Sequence, residues 1–275
     1  VGLSEFVRLE GMAYRICPVS QRGGSTGIAV NENVMDECLM NTLPDDVFYK
    51  EQHYGFKLRN MNDSPVYFDE HHRNYLDSYR RIYMQYANYL LQEKRDKKRA
   101  VAVLDKLRAM ISPKQFPMSY IDLLNVAEFY QVCGETEKAK EFAAMCAERT
   151  SAIIAKPALA EFENGSTRPE YDPAMFWCDA CIVMGDMTGA NEALEKFIAR
   201  QGDNPRAQFR RDAMSARIKA AKGQVKEGLD EMRQLVQRYM SNPAGGYGLA
   251  QEAMKVMGDM QLRLGDTSGI PTPAM

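Results

Sequence analysis

The chain has few of the residues that most enzymes rely on. Three histidines in 275 residues leave little room for imidazole-based catalysis or a histidine metal site. No His-Glu-x-x-His helix occurs, and no carboxylate pair stands out from an ordinary helical surface. Six cysteines are too few for a disulfide-stapled scaffold, and most stand among apolar residues in helical stretches, so mostly free thiols are expected. No apolar run reaches the roughly 18 to 20 residues that cross a bilayer. Charge of one sign is also missing: 35 Lys plus Arg against 37 Asp plus Glu gives −2, which excludes a whole-chain basic field for nucleic acid. The opening Val1-Gly-Leu-Ser-Glu has no signal-peptide pattern and is expected to belong to a piece of a longer protein.

Apolar residues are plentiful at 45%, enough for a sizeable core. Two regimes divide them. Residues 1–66 read as an irregular extension. Met12 to Cys17 is β-like and closed by Pro18, a short helix is expected around Val34 to Leu39, and Tyr54 to Arg59 suggests a second strand. Gly23-Gly24-Ser25-Thr26-Gly27 lacks the lysine and following helix of a phosphate loop and reads as a surface loop. Large apolar residues such as Phe6, Leu9, Tyr14, Phe48 and Phe56 argue that this extension docks on the helical remainder of the chain.

From Phe68 onward the apolar period becomes 3.6 residues. Tyr75, Tyr79, Tyr83, Tyr86 and Leu90 form one helix face, and Asp69 is placed to cap its start. A basic turn, Lys94 to Arg99, leads to a second helix with Ala100, Val103, Leu104 and Leu107 inward, which Pro113 stops. That run is a solvated turn or a weak anionic contact. The hairpin then recurs. Cys133-Gly134-Glu135-Thr136-Glu137-Lys138-Ala139, Met184-Gly185 to Ala190 and Lys222-Gly223 to Gly228 each place a glycine after one helix and a small residue five positions later. The glycine suits a left-handed helix end, and the small residue allows a close second helix.

This pattern resembles the tetratricopeptide repeat, a unit of about 34 residues. The small residues Ala100, Ala139, Ala190 and Gly228 are separated by 39, 51 and 38 residues, and the excess falls between units, chiefly near Lys156 to Glu170. The next core positions, from Leu104, Leu107, Ala143, Cys146, Leu194 and Phe197 to Met232 and Leu235, are all apolar. The expectation is an all-α, right-handed superhelix of about four helical hairpins over 67–264, with a capping helix carrying Ala250, Met254, Met257 and Leu262. A loose tail is expected at 265–275.

In this frame Gln85, Tyr89, Gln92, Glu128, Gln131, Asp179, Arg210 and Arg217 lie on the first helices and line a concave groove for a protein or peptide segment. Trp177-Cys178-Asp179-Ala180-Cys181 resembles the redox site of thioredoxins but lacks the preceding strand. Packed core cysteines are the favoured reading, and a self-standing redox or metal-binding protein using Cys178 and Cys181 is the alternative. Asp69-Glu70-His71-His72 cannot converge on one ion, since adjacent helical residues point about 100° apart. No cofactor, metal or catalytic residue is expected.

A further resemblance rests on Phe6-Val7-Arg8-Leu9-Glu10-Gly11-Met12-Ala13-Tyr14-Arg15-Ile16-Cys17-Pro18-Val19, continued by Val66 to Glu70, Ala100 to Lys106 and Gly134 to Ala139. It looks like the region after the membrane half of a Bacteroidota family of multi-spanning proteins, a half similar to protein O-mannosyltransferases. The resemblance covers roughly the first 150 residues well and the remainder loosely. It implies the accessory soluble part of a membrane glycosyltransferase-like protein, on the periplasmic side. The acidic catalytic residues of such proteins belong to the membrane half, so it implies no catalytic residue here.

Overall fold

The computed structural model describes residues 4–21, 27, 29–41, 43, 54–56, 61, 67–162, 171–200, 205–241 and 246–264. Among these the chain is mostly helical, with ten α-helices and one three-stranded sheet. It forms two compact units, Val1–Pro117 and Met118–Met275. That division falls after the first helical hairpin, whereas the sequence suggests a boundary at 66/67. The reason lies in the contacts between the extension and that hairpin.

In the first unit, β1 (Val7–Glu10) pairs antiparallel with β2 (Ala13–Ile16) and parallel with β3 (Ala29–Val30). β2 is the strand expected at Met12 to Cys17; its partners are not visible as strands in the sequence. Gly11 takes φ +61° at the first central position of the β1–β2 turn, as a type II′ hairpin requires. A side chain there would also crowd Cys38, whose Sγ lies 3.2 Å from the position of a Cβ. The helix expected near Val34 is α1 (Glu32–Met40), which buries Met35, Cys38 and Leu39 and covers Leu9 of β1.

The first helical hairpin is α2 (Glu70–Gln92) and α3 (Lys97–Met110). Asp69 caps α2 by accepting the His72 N–H at 2.9 Å, and Asp96 caps α3 through Arg99 N–H at 3.0 Å. Ile82, Tyr83, Tyr86, Leu90, Ala100, Val103, Leu104 and Leu107 are all buried. The extension reaches this pair through three of the four expected tyrosines. Tyr83 donates its hydroxyl to the Leu39 carbonyl at 2.9 Å, Tyr86 donates to Asp36 at 2.6 Å, and Tyr79 meets Phe56 edge-on at 5.0 Å. Tyr75 stays exposed.

The second unit holds three antiparallel helix pairs and a last helix: α4 (Tyr120–Cys133) with α5 (Thr136–Ala155), α6 (Pro173–Met184) with α7 (Met187–Arg200), α8 (Pro205–Ala221) with α9 (Val225–Met240), then α10 (Gly246–Leu264). The first helix of each pair ends the same way. Gly134, Gly185 and Gly223 take φ of +91°, +79° and +93°. Each donates its N–H to the carbonyl three residues back, and the next residue donates to the carbonyl five back. This is the Schellman arrangement, which satisfies two end carbonyls and turns the chain sharply. Ala139 and Ala190 are buried against the preceding helix. At Gly228 a Cβ would sit 2.6 Å from the Ala216 carbonyl oxygen.

α10 covers α9 as a cap should, burying Ala250, Ala253 and Met260 with Met232, Leu235 and Tyr239. Met257 packs partly against the same cluster, but Met254 is exposed, so Ala253 and Met260 hold the inward positions expected of it. The proposed Gly23 to Thr26 loop, residues 57–59 of the expected second strand, His53, the insert at 163–170 and the tail 265–275 lie outside the described residues.

Candidate partner-binding surface

Five of the eight residues expected to line a groove fall in the second unit, on the first helices of the three pairs. Arg217 of α8 reaches across to Asp179 of α6, with one guanidinium nitrogen 2.6 Å from Oδ1 and 2.7 Å from Oδ2. Burial works against the charge on Arg217, but Asp179 and Glu128 of α4 together outweigh it and hold the guanidinium above its ordinary range. Side chains from α4, α6 and α8 thus converge in one electrostatic group. Arg210, about two turns earlier and only 3% exposed, sets its Nε 3.6 Å from Glu252 of α10. Gln131, nearly one turn beyond Glu128, is half-buried, and its Oε1 accepts no hydrogen bond.

The surface is therefore bound within itself more than the sequence suggests. Lysine or arginine at a groove position reads as a free cation in sequence, yet here both arginines are matched by acids from neighbouring helices. Glu252 lies on no groove position, and nothing in its local sequence marks it. Counting Glu128, Asp179 and Glu252 against Arg210 and Arg217 leaves one net negative charge.

The other three residues expected on that surface lie on α2 in the first unit. Tyr89 stacks on Tyr86 with rings 6.2 Å apart, and the Lys94 ammonium stands 5.7 Å from its ring centre. Gln85 buries an Oε1 that accepts no hydrogen bond, while Gln92 is exposed. Beside them the basic turn is partly consumed by the extension. Lys94 meets Glu32 at 2.7 Å, and Arg99 bridges Glu32 and Asp36 at 2.6 Å each. Tyr86 completes the cluster through its bond to Asp36. Local sequence does not reveal this cluster, because α1 and α3 are some 60 positions apart and neither signals the other.

All six cysteines are free. Cys178 and Cys181 are buried in the core shared by α6, α7 and α8, with Trp177 packed beside it. Burial is the largest influence on both thiols. It raises Cys178 strongly, and it pushes Cys181 up to about 12 with help from the Asp186 charge. A thiol held protonated at neutral pH is a poor nucleophile and a poor metal ligand. At the start of α2, Asp69 accepts from the His72 backbone and lies 2.7 Å from its Nδ1, so this pair serves the helix end. Among the described residues no group of three or more His, Cys, Asp or Glu is placed to hold a metal, and no helix is long and apolar enough to cross a membrane. Comparison with protein-family models, curated proteins and solved structures finds no match to this chain.

Proposed function

We propose that this chain is a non-catalytic interaction or scaffold domain of tetratricopeptide-like build. Its task is to hold a protein or peptide segment along the first helices of its hairpins. The observation that carries this reading is the threefold repetition of one construction: a helix closed by a left-handed glycine, then a second helix started by a small residue. Such units expose a series of parallel first helices, and side chains on them meet a common ligand. Glu128, half-buried on α4 beside the Arg217–Asp179 pair, gives the first helices of the second unit a slight negative charge. The partner it suits is an extended segment offering N–H groups or a basic side chain.

The resemblance carried by Phe6 to Val19 assigns this domain to a larger membrane protein of the glycosyltransferase type, as an accessory part on the periplasmic side. In that setting it holds acceptor proteins near the membrane half. The redox alternative draws no support from Cys178 and Cys181, because their thiols are enclosed and protonated.

Selection of a displayed random peptide library on the immobilised chain tests the groove. The expected outcome is a set of extended, basic peptides whose affinity falls at least tenfold in Gln131→Ala and Glu128→Ala. Peptides that bind both variants as well as the parent would show that the groove is not the binding surface.

A further inference from the structure

The N-terminal sheet ends on one side at β2, and among the described residues nothing pairs with that side. The ladder fixes which groups face outward. The Cys17 N–H donates to the Phe6 carbonyl at 2.7 Å, and the same register sets Arg15 opposite Arg8 and Ala13 opposite Glu10. In an antiparallel pair such hydrogen-bonded positions alternate with positions whose N–H and C=O point away from the partner strand. Tyr14 and Ile16 therefore direct their backbone groups off the edge. Their side chains share the sheet face of Leu9, which is 1% exposed under α1, yet Ile16 is 69% and Tyr14 46% exposed. Met12 in the turn is exposed too. A free edge bordered by an uncovered apolar row is a pairing surface that proteins normally blunt.

We propose that β2 is the edge through which two copies of this chain associate, strand against strand, about a two-fold axis passing through Tyr14. Three antiparallel registers engage the outward-facing groups of both Tyr14 and Ile16, and the sequence separates them. With the axis at Arg15, two guanidiniums stand directly opposite at the closely spaced position, where like charges repel. With the axis at Ile16, Tyr14 faces Pro18, which has no N–H to donate. With the axis at Tyr14, Ile16 faces Met12, Arg15 faces Ala13, and no like charges meet. Of these three, the edge is self-complementary in that register alone. The apolar rows of both copies join on one face, while Arg15 keeps its own Glu10 at 3.4 Å on the other. So short an edge buries little area and makes a weak, transient dimer.

Sedimentation velocity between 10 µM and 1 mM, with amide exchange measured by NMR across the same range, tests this. The expected result is a monomer at the low end and a dimer at the high end, with exchange at Tyr14 and Ile16 slowing at least tenfold in step. Ile16→Pro removes an N–H that serves no bond within the β1–β2 ladder, so it should keep the thermal midpoint and weaken association at least tenfold. Should that variant fail to fold, Ile16→Lys is expected to weaken association likewise. A chain monomeric at 1 mM overturns the proposal. So does a dimer in which these two amides exchange freely, or one untouched by the variants. Amides already protected in the 10 µM monomer would show the edge covered by the chain itself, which overturns it equally.

Discussion

Backbone conformation at single residues separates the four hairpin turns. Three use glycine in the left-handed region, but the first has Arg95 there, at φ +56°. A side chain in that region costs about 1 to 2 kcal/mol, and glycine gives back some of the gain through its freer unfolded chain. Arg95 is exposed, so Arg95→Gly is expected to stabilise the first unit by about 0.5 to 1 kcal/mol, read as a higher denaturation midpoint. Gly228 poses the opposite case. Its added Cβ would stand 2.6 Å from the Ala216 carbonyl and 2.9 Å from the Ala220 Cβ, so α8 and α9 would have to separate. Gly228→Ala should cost about 1 to 3 kcal/mol despite its better helix propensity. An unchanged urea midpoint would show that the two helices do not approach as closely as described.

Among the elements, α1 is held by charge as much as by its three buried side chains. Hydrogen bonds from Lys94 and then Arg99 lower the Glu32 carboxyl below its ordinary 4.5, although partial burial pushes the other way. A carboxyl depressed on folding stabilises fully above its unfolded value and loses that contribution as pH falls through the folded one. Unfolding of the first unit should therefore become easier below about pH 4.5. Glu32→Gln should flatten that part of the profile while lowering stability at pH 7. A thermal midpoint that declines identically in both proteins from pH 5 to 3 would refute the assignment to Glu32.

For the whole molecule, the two compact units are expected to be separable. The second unit carries its own hydrophobic clusters, one shared by α6, α7 and α8 and one by α8, α9 and α10. A fragment spanning residues 118–275 is expected to fold alone and melt cooperatively, because those cores draw no residue from the first unit. Removal of residues 1–66 should leave that transition in place and abolish the one belonging to α2 and α3. That hairpin would lose α1, the acceptors of Tyr83 and Tyr86, and the Phe56 contact. Circular dichroism melts of the two truncations distinguish this from a single transition over the whole chain.

The periodicity from Phe68 on, with Gly134, Gly185 and Gly223 and the small residues five positions later, determined the helices, their turns and most of their inward faces, Tyr75 and Met254 excepted, because those features act within a few residues of chain. Asp69 as a cap and Cys178 and Cys181 as core residues were legible for the same reason. What the polar side chains of the first helices do was not. Arg217 looks like a free cation until α6 brings Asp179 to it, and Arg210 until α10 brings Glu252. The pairing partners of β2 and β1 were equally hidden, since strand pairing joins residues that local pattern does not link and β3 has only two residues. The basic turn at Lys94 to Arg99 looks solvated until α1 meets it. Each of these ion pairs joins positions 38 to 67 apart, where no local pattern reaches and only the packing of helices sets which charges become neighbours.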